Sequence, residues 1–162
     1  MSRITSHAAA PMTVTVTEAI TMNSKDYGST QTFSIASIAN VNRRIVTVTT
    51  VEAVIMTMAA SASGAGKFVD EKVKYMRFTN LDGANFITLT FRNQDNDEVA
   101  IKLDAGQSFI WNSDNSDGMT AVMNATEDAD AASSSNFGSL TNIQADADTA
   151  SCDLEIFVAS IA

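Results

Sequence analysis

Thr13-Val14-Thr15-Val16-Thr17 alternates hydroxyl and hydrocarbon side chains, and Ile20 and Met22 keep the apolar side on even numbers. Successive side chains of an extended chain point to opposite faces, so a period of two marks a strand with one buried side. The same rhythm returns near the other end of the sequence, where Cys152, Leu154, Ile156 and Val158 share a face opposite Asp153 and Glu155. Between them, residues 33–38, 73–79, 86–91, 99–103, 108–111 and 140–145 form further short strand-like runs. Residues 44–58 are rich in Val, Ile and Thr, which suit a pleated, half-buried surface. Their phase slips: Val46 and Val48 lie on one face, Val51, Ala53 and Ile55 on the other. An inserted residue near Thr49-Thr50 accounts for the slip as a β-bulge. About nine strands result, with no amphipathic helix.

Turn chemistry punctuates the middle of the chain. Asp82-Gly83 is a hairpin signal, Asn93-Gln94-Asp95-Asn96-Asp97 offers side chains that bond their own backbone, and Asp104-Ala105-Gly106 closes a tight turn. Residues 72–111 therefore read as a four-stranded antiparallel meander. Strands with turns every 8–12 residues predict an all-β, antiparallel β-sandwich, jelly-roll-like, of eight or nine strands. Residues 59–66 and 125–139 carry no strand pattern and read as long loops.

The 162 residues fit one domain, with residues 1–11 expected as a flexible N-terminal arm and 12–162 as the sandwich. Nineteen acidic residues against ten basic give a net charge of −9, which argues against a nucleic-acid binder. The balance is uneven. Residues 1–92 carry nine basic and six acidic side chains, a net of +3, whereas residues 93–162 carry one basic and thirteen acidic, a net of −12. Such a split serves solubility, or supplies surfaces of opposite sign for contact between copies. No run reaches the roughly 20 apolar residues of a membrane span, and the start lacks the apolar core of a signal peptide, so neither membrane nor export is expected.

Candidate chemistry is sparse. His7 is the one imidazole and falls in the expected arm, away from any firmly held nucleophile. Cys152 rules out an internal disulfide and opens an apolar strand face, as a buried inert thiol does. Asp95-Asn96-Asp97-Glu98, Asp114-Asn115-Ser116-Asp117-Gly118 and Glu127-Asp128-Ala129-Asp130 gather oxygen ligands of the kind calcium takes. Counting Asn112, Asp114 and Ser116 as positions 1, 3 and 5 of an EF-hand puts Asp117 where glycine is required, so solvated turns are the expectation. Gly64-Ala65-Gly66 lacks the third glycine and the helix of a dinucleotide loop. The aromatics Tyr75, Phe78, Phe86, Phe91, Phe109 and Trp111 are expected in the core, although Trp111 beside Asn112-Ser113-Asp114 could serve as a sugar platform. No catalytic residue, metal ligand or cofactor site is assigned, and no enzymatic activity is expected.

One resemblance stands beside these readings. The run Tyr75-Met76-Arg77-Phe78-Thr79-Asn80-Leu81-Asp82, then Phe86-Ile87-Thr88-Leu89 and Leu103-Asp104-Ala105-Gly106-Gln107-Ser108-Phe109, resembles small virion proteins of tailed bacteriophages. The resemblance implies a jelly-roll or β-sandwich fold and a structural component of a virion: a capsid decoration or cement protein acting as an oligomer. Its partners would be other copies of itself and major capsid or tail proteins, its location the virion assembled in a host cytoplasm. The alternatives are a tail or fibre-associated component and a lectin-like glycan-binding module built on Trp111.

Overall fold

The computed structural model describes residues 8–59, 66–112 and 140–162. In chain order the strands are β1 (Ala10–Glu18), β2 (Thr21–Met22), β3 (Lys25–Asp26), β4 (Ser29–Val48), β5 (Ala53–Met58), β6 (Lys67–Phe68), β7 (Val73–Asn80), β8 (Ile87–Asn93), β9 (Glu98–Leu103), β10 (Ser108–Asn112), β11 (Leu140–Ala147) and β12 (Cys152–Ile161). One 3-10 turn, Asp70–Lys72, precedes β7. The chain is all-β, and its nine longer strands form two antiparallel sheets.

The first sheet has the order β1-β4-β12-β7-β10 and the second β6-β5-β11-β8-β9. Setting aside β1 and the two-residue β6, the eight remaining strands pair in nested fashion. The innermost pair is β8 with β9; around it lie β7 with β10, β5 with β11, and β4 with β12, all antiparallel. This is one long hairpin rolled over itself, the topology of a jelly roll. Its innermost turn is held by Asn93, whose Oδ1 accepts hydrogen bonds from Asp95 N at 2.9 Å and Asp97 N at 2.7 Å.

Three sequence expectations are corrected by this pairing. Residues 72–111 are not a meander: β7 and β10 belong to the first sheet, β8 and β9 to the second. Asp82-Gly83 is a corner between sheets rather than a hairpin. Asp82 Oδ1 caps it by accepting from Ala84 N and Asn85 N, and Gly83 does not have positive φ. The phase slip at Thr49-Thr50 is not a bulge either. The chain leaves the first sheet at Val48 and enters the second at Ala53, so the inward parity resets across the turn.

Between the sheets lie Phe78, Phe91, Met56, Met76, Ile87, Leu89, Leu140, Ile143, Leu154 and Ile156, each under 2% exposed. Burying a side chain of this size contributes about 1.5–3 kcal/mol, so this layer supplies most of the drive to fold. Phe91 is its hub, packing edge-on against Phe78, Phe109 and Trp111 with ring centroids 6.2, 5.8 and 5.5 Å away. Asn80 is the polar exception at 0% exposure. Its Nδ2 donates to Asn85 O at 2.8 Å and Leu103 O at 3.1 Å, and its Oδ1 accepts from Asp82 N at 3.0 Å. All its bonds run to backbone, which ties the corner after β7 to the end of β9.

β4 is twenty residues long because it serves two partners. Ile38 to Val48 pair with β12, whereas Ser29 to Ile38 pair with β1. The strand is irregular where the ladders meet, at Ser37 with φ 60° and at the offset between Ser160 and Ile161. Beyond that point β1 and the first half of β4 continue as a two-stranded ribbon, tipped by the β2–β3 hairpin. Asn23 and Ser24, both at positive φ, form the tip in the turn whose twist suits paired strands. Gly28 is required just below it, since a Cβ there would lie 2.7 Å from Glu18 O.

Candidate functional site

Among the described residues, those singled out by sequence do not converge. His7, Asp114, Asp117, Glu127, Asp128 and Asp130 lie outside the described residues, as do Gly64 and Ala65. Asp95, Asp97 and Glu98 sit in the β8–β9 turn and at the start of β9, where their carboxylates serve local bonds to Gln94, Asn93 and Arg92 respectively. Among the described residues no group of three or more His, Cys, Asp or Glu side chains is placed to hold a metal ion. Gly66, at φ +77°, packs against the Arg44 guanidinium. Cys152 is 1% exposed, and its thiol is pushed up by burial and then by Asp82, Asp148 and Asp153. Trp111 is half-buried against Phe91 and Phe109 at the edge of the core, and Ser113 and Asp114 of the sugar-platform alternative lie outside the described residues.

What the structure does bring together is apolar surface on one side of the sandwich. An antiparallel sheet packed on one face normally presents polar residues on the other. The second sheet largely obeys, with Thr88, Thr90 and Arg92 of β8 beside Asn142, Gln144 and Asp146 of β11 and Glu98 and Lys102 of β9, and Val54 of β5 as its exposed apolar residue. The first sheet departs from the rule. The strand registers align Ile45 with Glu155, Arg43 with Phe157 and Arg77, Ile110 with Arg77, and Val41 with Ala159 and Tyr75. Val41 and Ile45 are each 59% exposed and Ile110 40%. Seven of the eleven exposed large hydrophobic residues described lie on this face or on the ribbon, the ribbon's four being Val16, Ile20, Met22 and Tyr27.

Charge on this face comprises Asp153, which accepts a hydrogen bond from Thr47 Oγ1 at 3.0 Å, and one network. Glu155, buried to 6% exposure, receives Arg43 Nε at 2.7 Å on Oε2 and Arg77 Nη2 on Oε1. Arg77 also lies over the Phe157 ring, 5.9 Å from its centroid, and Tyr75 meets the same ring edge-on at 5.7 Å. Burial pushes the Tyr75 hydroxyl up in pKa, with Arg77 opposing, so it stays neutral at physiological pH. Two guanidinium groups against one carboxylate leave the network with a net charge of +1. Arg77 Nε is buried without a hydrogen-bond partner among the described residues.

The base of the ribbon is seated on this same face. Val14 and Ile35 of the ribbon, with Ile38, form a buried cluster with Tyr75 and Ala159, and Met12, Phe33, Phe157 and Ile161 pack around it. Beside it runs a groove of about 520 Å³ lined by Ala10, Pro11, Met12, Ile38, Val41 and Phe157. Past Val14 no described residue covers the ribbon's tip: residues 15–28 are exposed without interruption.

Sequence reading missed both the ribbon and this face. One signal was available in β12: from Phe157 onward Phe157, Ala159 and Ile161 make its second face apolar too, which a strand with one solvent side does not need.

No protein-family model matches the chain, and no curated protein matches it. Among solved structures, a chain of Bacillus endospore appendages, described as a novel family of disulfide-linked pili, aligns over 100% of this chain and 98% of its own. The identity is 8% and the TM-score 0.42. That neighbour is a bacterial pilus protein and not a phage protein, so the expected role in a bacteriophage capsid or tail is withdrawn. The fold supplies a physical reason. The motifs behind that expectation are corner chemistry of a rolled hairpin, split between two sheets, and Asn80 and Asp82 are explained by the backbone groups they cap.

Proposed function

We propose that this protein is a non-enzymatic structural subunit that works by associating with other copies of itself, using the outer face of the first sheet. The observation that carries the reading is the unequal treatment of the two outer faces: the second sheet's is mostly polar, whereas the first exposes Val41, Ile45 and Ile110 around its charged network. Large exposed apolar patches on soluble domains mark interaction sites. A second copy is the occupant because the apolar ribbon already packs on this face within one molecule, so the chain is complementary to itself. Association is non-covalent, since the one cysteine is buried.

Sedimentation equilibrium over 1–100 μM, on the order of typical oligomer affinities, tests this. The native chain should associate with increasing concentration, and Ile45→Glu combined with Val41→Glu should shift it to monomer with an unchanged far-UV spectrum. A native chain that stays monomeric across that range overturns the reading.

A further inference from the structure

We infer that the contact between copies is heterologous: the exposed ribbon tip of one molecule lies on the first-sheet face of the next, beside the groove formed by Met12, Val41 and Phe157. This rests on the self-association proposed above and specifies its geometry. Three features of the structure point to it.

The first is continuity. The ribbon keeps one side chain in two on its apolar face, Met12, Val14 and Val16 on β1 opposite Ile35, Phe33 and Gln31 on β4. Its first third is buried on Tyr75 and Ala159, which shows that this face accepts a ribbon of this pattern. The rest runs on exposed, so it cannot be satisfying the open part of its own sheet. A two-stranded ribbon is marginal in water by itself, and Ile20, Met22 and Tyr27 at its end leave apolar surface for a partner to cover.

The second is charge. The tip carries Glu18, Lys25 and Asp26, a net of −1; on the face the Arg43–Glu155–Arg77 network is a local +1, with Asp153 at the other end of β12 balancing the face as a whole. Arg43 is 67% exposed at its rim, where a carboxylate from a neighbour can reach it. Pairing of this kind selects register and orientation more than it adds strength.

The third is size. Fourteen consecutive exposed residues approach the roughly 20–30 residues a side of a stable interface, and the ribbon offers them in one piece. Because the two surfaces differ, each copy keeps a free tip and a free face after one contact. Such an interface closes into a ring or continues as a filament, and it does not stop at a two-fold dimer unless the exchange is reciprocal.

The test is complementation. A tip variant, Ile20→Glu with Met22→Glu, and a face variant, Val41→Glu with Ile45→Glu, change only exposed side chains. Each alone should associate at least about 100-fold more weakly than the native chain, since two anchors are lost from the contact. Mixed one to one, they should form a species of two chains and no larger, because only one intact tip meets one intact face. As a measurement independent of these variants, Met22→Cys and Val41→Cys in separate chains should give a disulfide-linked heterodimer on oxidation. A native chain that associates, with a mixture of variants that does not and no cross-link, overturns the ribbon-to-face geometry and leaves the self-association reading standing. A monomeric native chain overturns both.

Discussion

Asn80 offers the sharpest test of the rolled-hairpin core. It is 0% exposed and makes three hydrogen bonds, all to backbone: two donated by Nδ2 to Asn85 O and Leu103 O, one accepted by Oδ1 from Asp82 N. A neutral intramolecular hydrogen bond contributes about 0.5–1.5 kcal/mol net, and a buried group left without its partner costs about 1–3 kcal/mol. Asn80→Ala removes all three bonds from a fully buried site. The expected loss is about 3–4 kcal/mol. For a domain of this size each kcal/mol moves Tm by roughly 2–4 °C, so the melting temperature should fall by about 6–16 °C. In urea, with m of about 2 kcal/mol/M, the midpoint should drop by about 1.5–2 M with m unchanged. Asn80→Asp sharpens the reasoning. Its carboxylate keeps the acceptor for Asp82 N but faces two carbonyl oxygens, so it must hold a proton to fold. Its folded-state pKa is therefore raised, and the variant should regain stability as pH falls toward about 4. A change under about 1 kcal/mol in Asn80→Ala, or an Asn80→Asp variant indifferent to pH, refutes the argument.

Other outcomes follow from the same structure. Phe91→Ala empties the centre of the aromatic cluster and should cost about 3–5 kcal/mol, with a changed Trp111 emission maximum. Asp82 is held below the usual carboxylate range by backbone hydrogen bonds from Asn85 and Ala84, so it contributes stability above the unfolded pKa that is lost on acidification. Asp82→Ala should accordingly flatten the fall in stability between about pH 5 and 2. Asp146 is raised by desolvation and then by Glu52, the opposite sign, so Asp146→Asn should raise Tm slightly at pH 7 and have no such effect at pH 3. Cys152 should react with a thiol reagent only as fast as the domain unfolds, and a rapid native-state reaction would contradict its placement.

Some of this was legible in the residues. The alternation of β12, with Cys152, Leu154, Ile156 and Val158 inward, is a local property of an extended chain, and so is the strand boundary at each polar cluster. Pairing is not local. Asp82-Gly83 announces that the chain changes direction, but whether it returns to its neighbour or crosses to the other sheet depends on β10 and β12, far along the sequence. That is why 72–111 reads as a meander and folds as a corner. The ribbon escaped for a related reason. Thr13-Val14-Thr15-Val16-Thr17 has the pattern of any half-buried strand, and nothing in it says that only its first part finds a cover. Glu155 was equally hidden. It reads as a solvent-side residue of β12, and it becomes the buried centre of the face only when Arg43 of β4 and Arg77 of β7 flank it.

The nesting of the ladders also orders the folding reaction. The β8–β9 ladder closes a four-residue turn, 94–97, and needs no distant partner. Once it exists, β7 and β10 are linked by the ten residues 81–86 and 104–107, in place of the twenty-seven between Asn80 and Ser108 along the chain. The entropy of that closure falls by about 0.9 kcal/mol, and each outer ladder inherits the shortening made by those inside it. The chain should therefore zip from its middle outward. Substitutions around Asn93 should slow folding, whereas substitutions in β4 and β12, the last rung, should chiefly speed unfolding. β4 and β12, which carry Val41, Ile45 and Phe157 of the exposed face, and the ribbon are thus the last to be fixed, and a newly made chain should complete its assembly surface only when the rest of the roll is already closed.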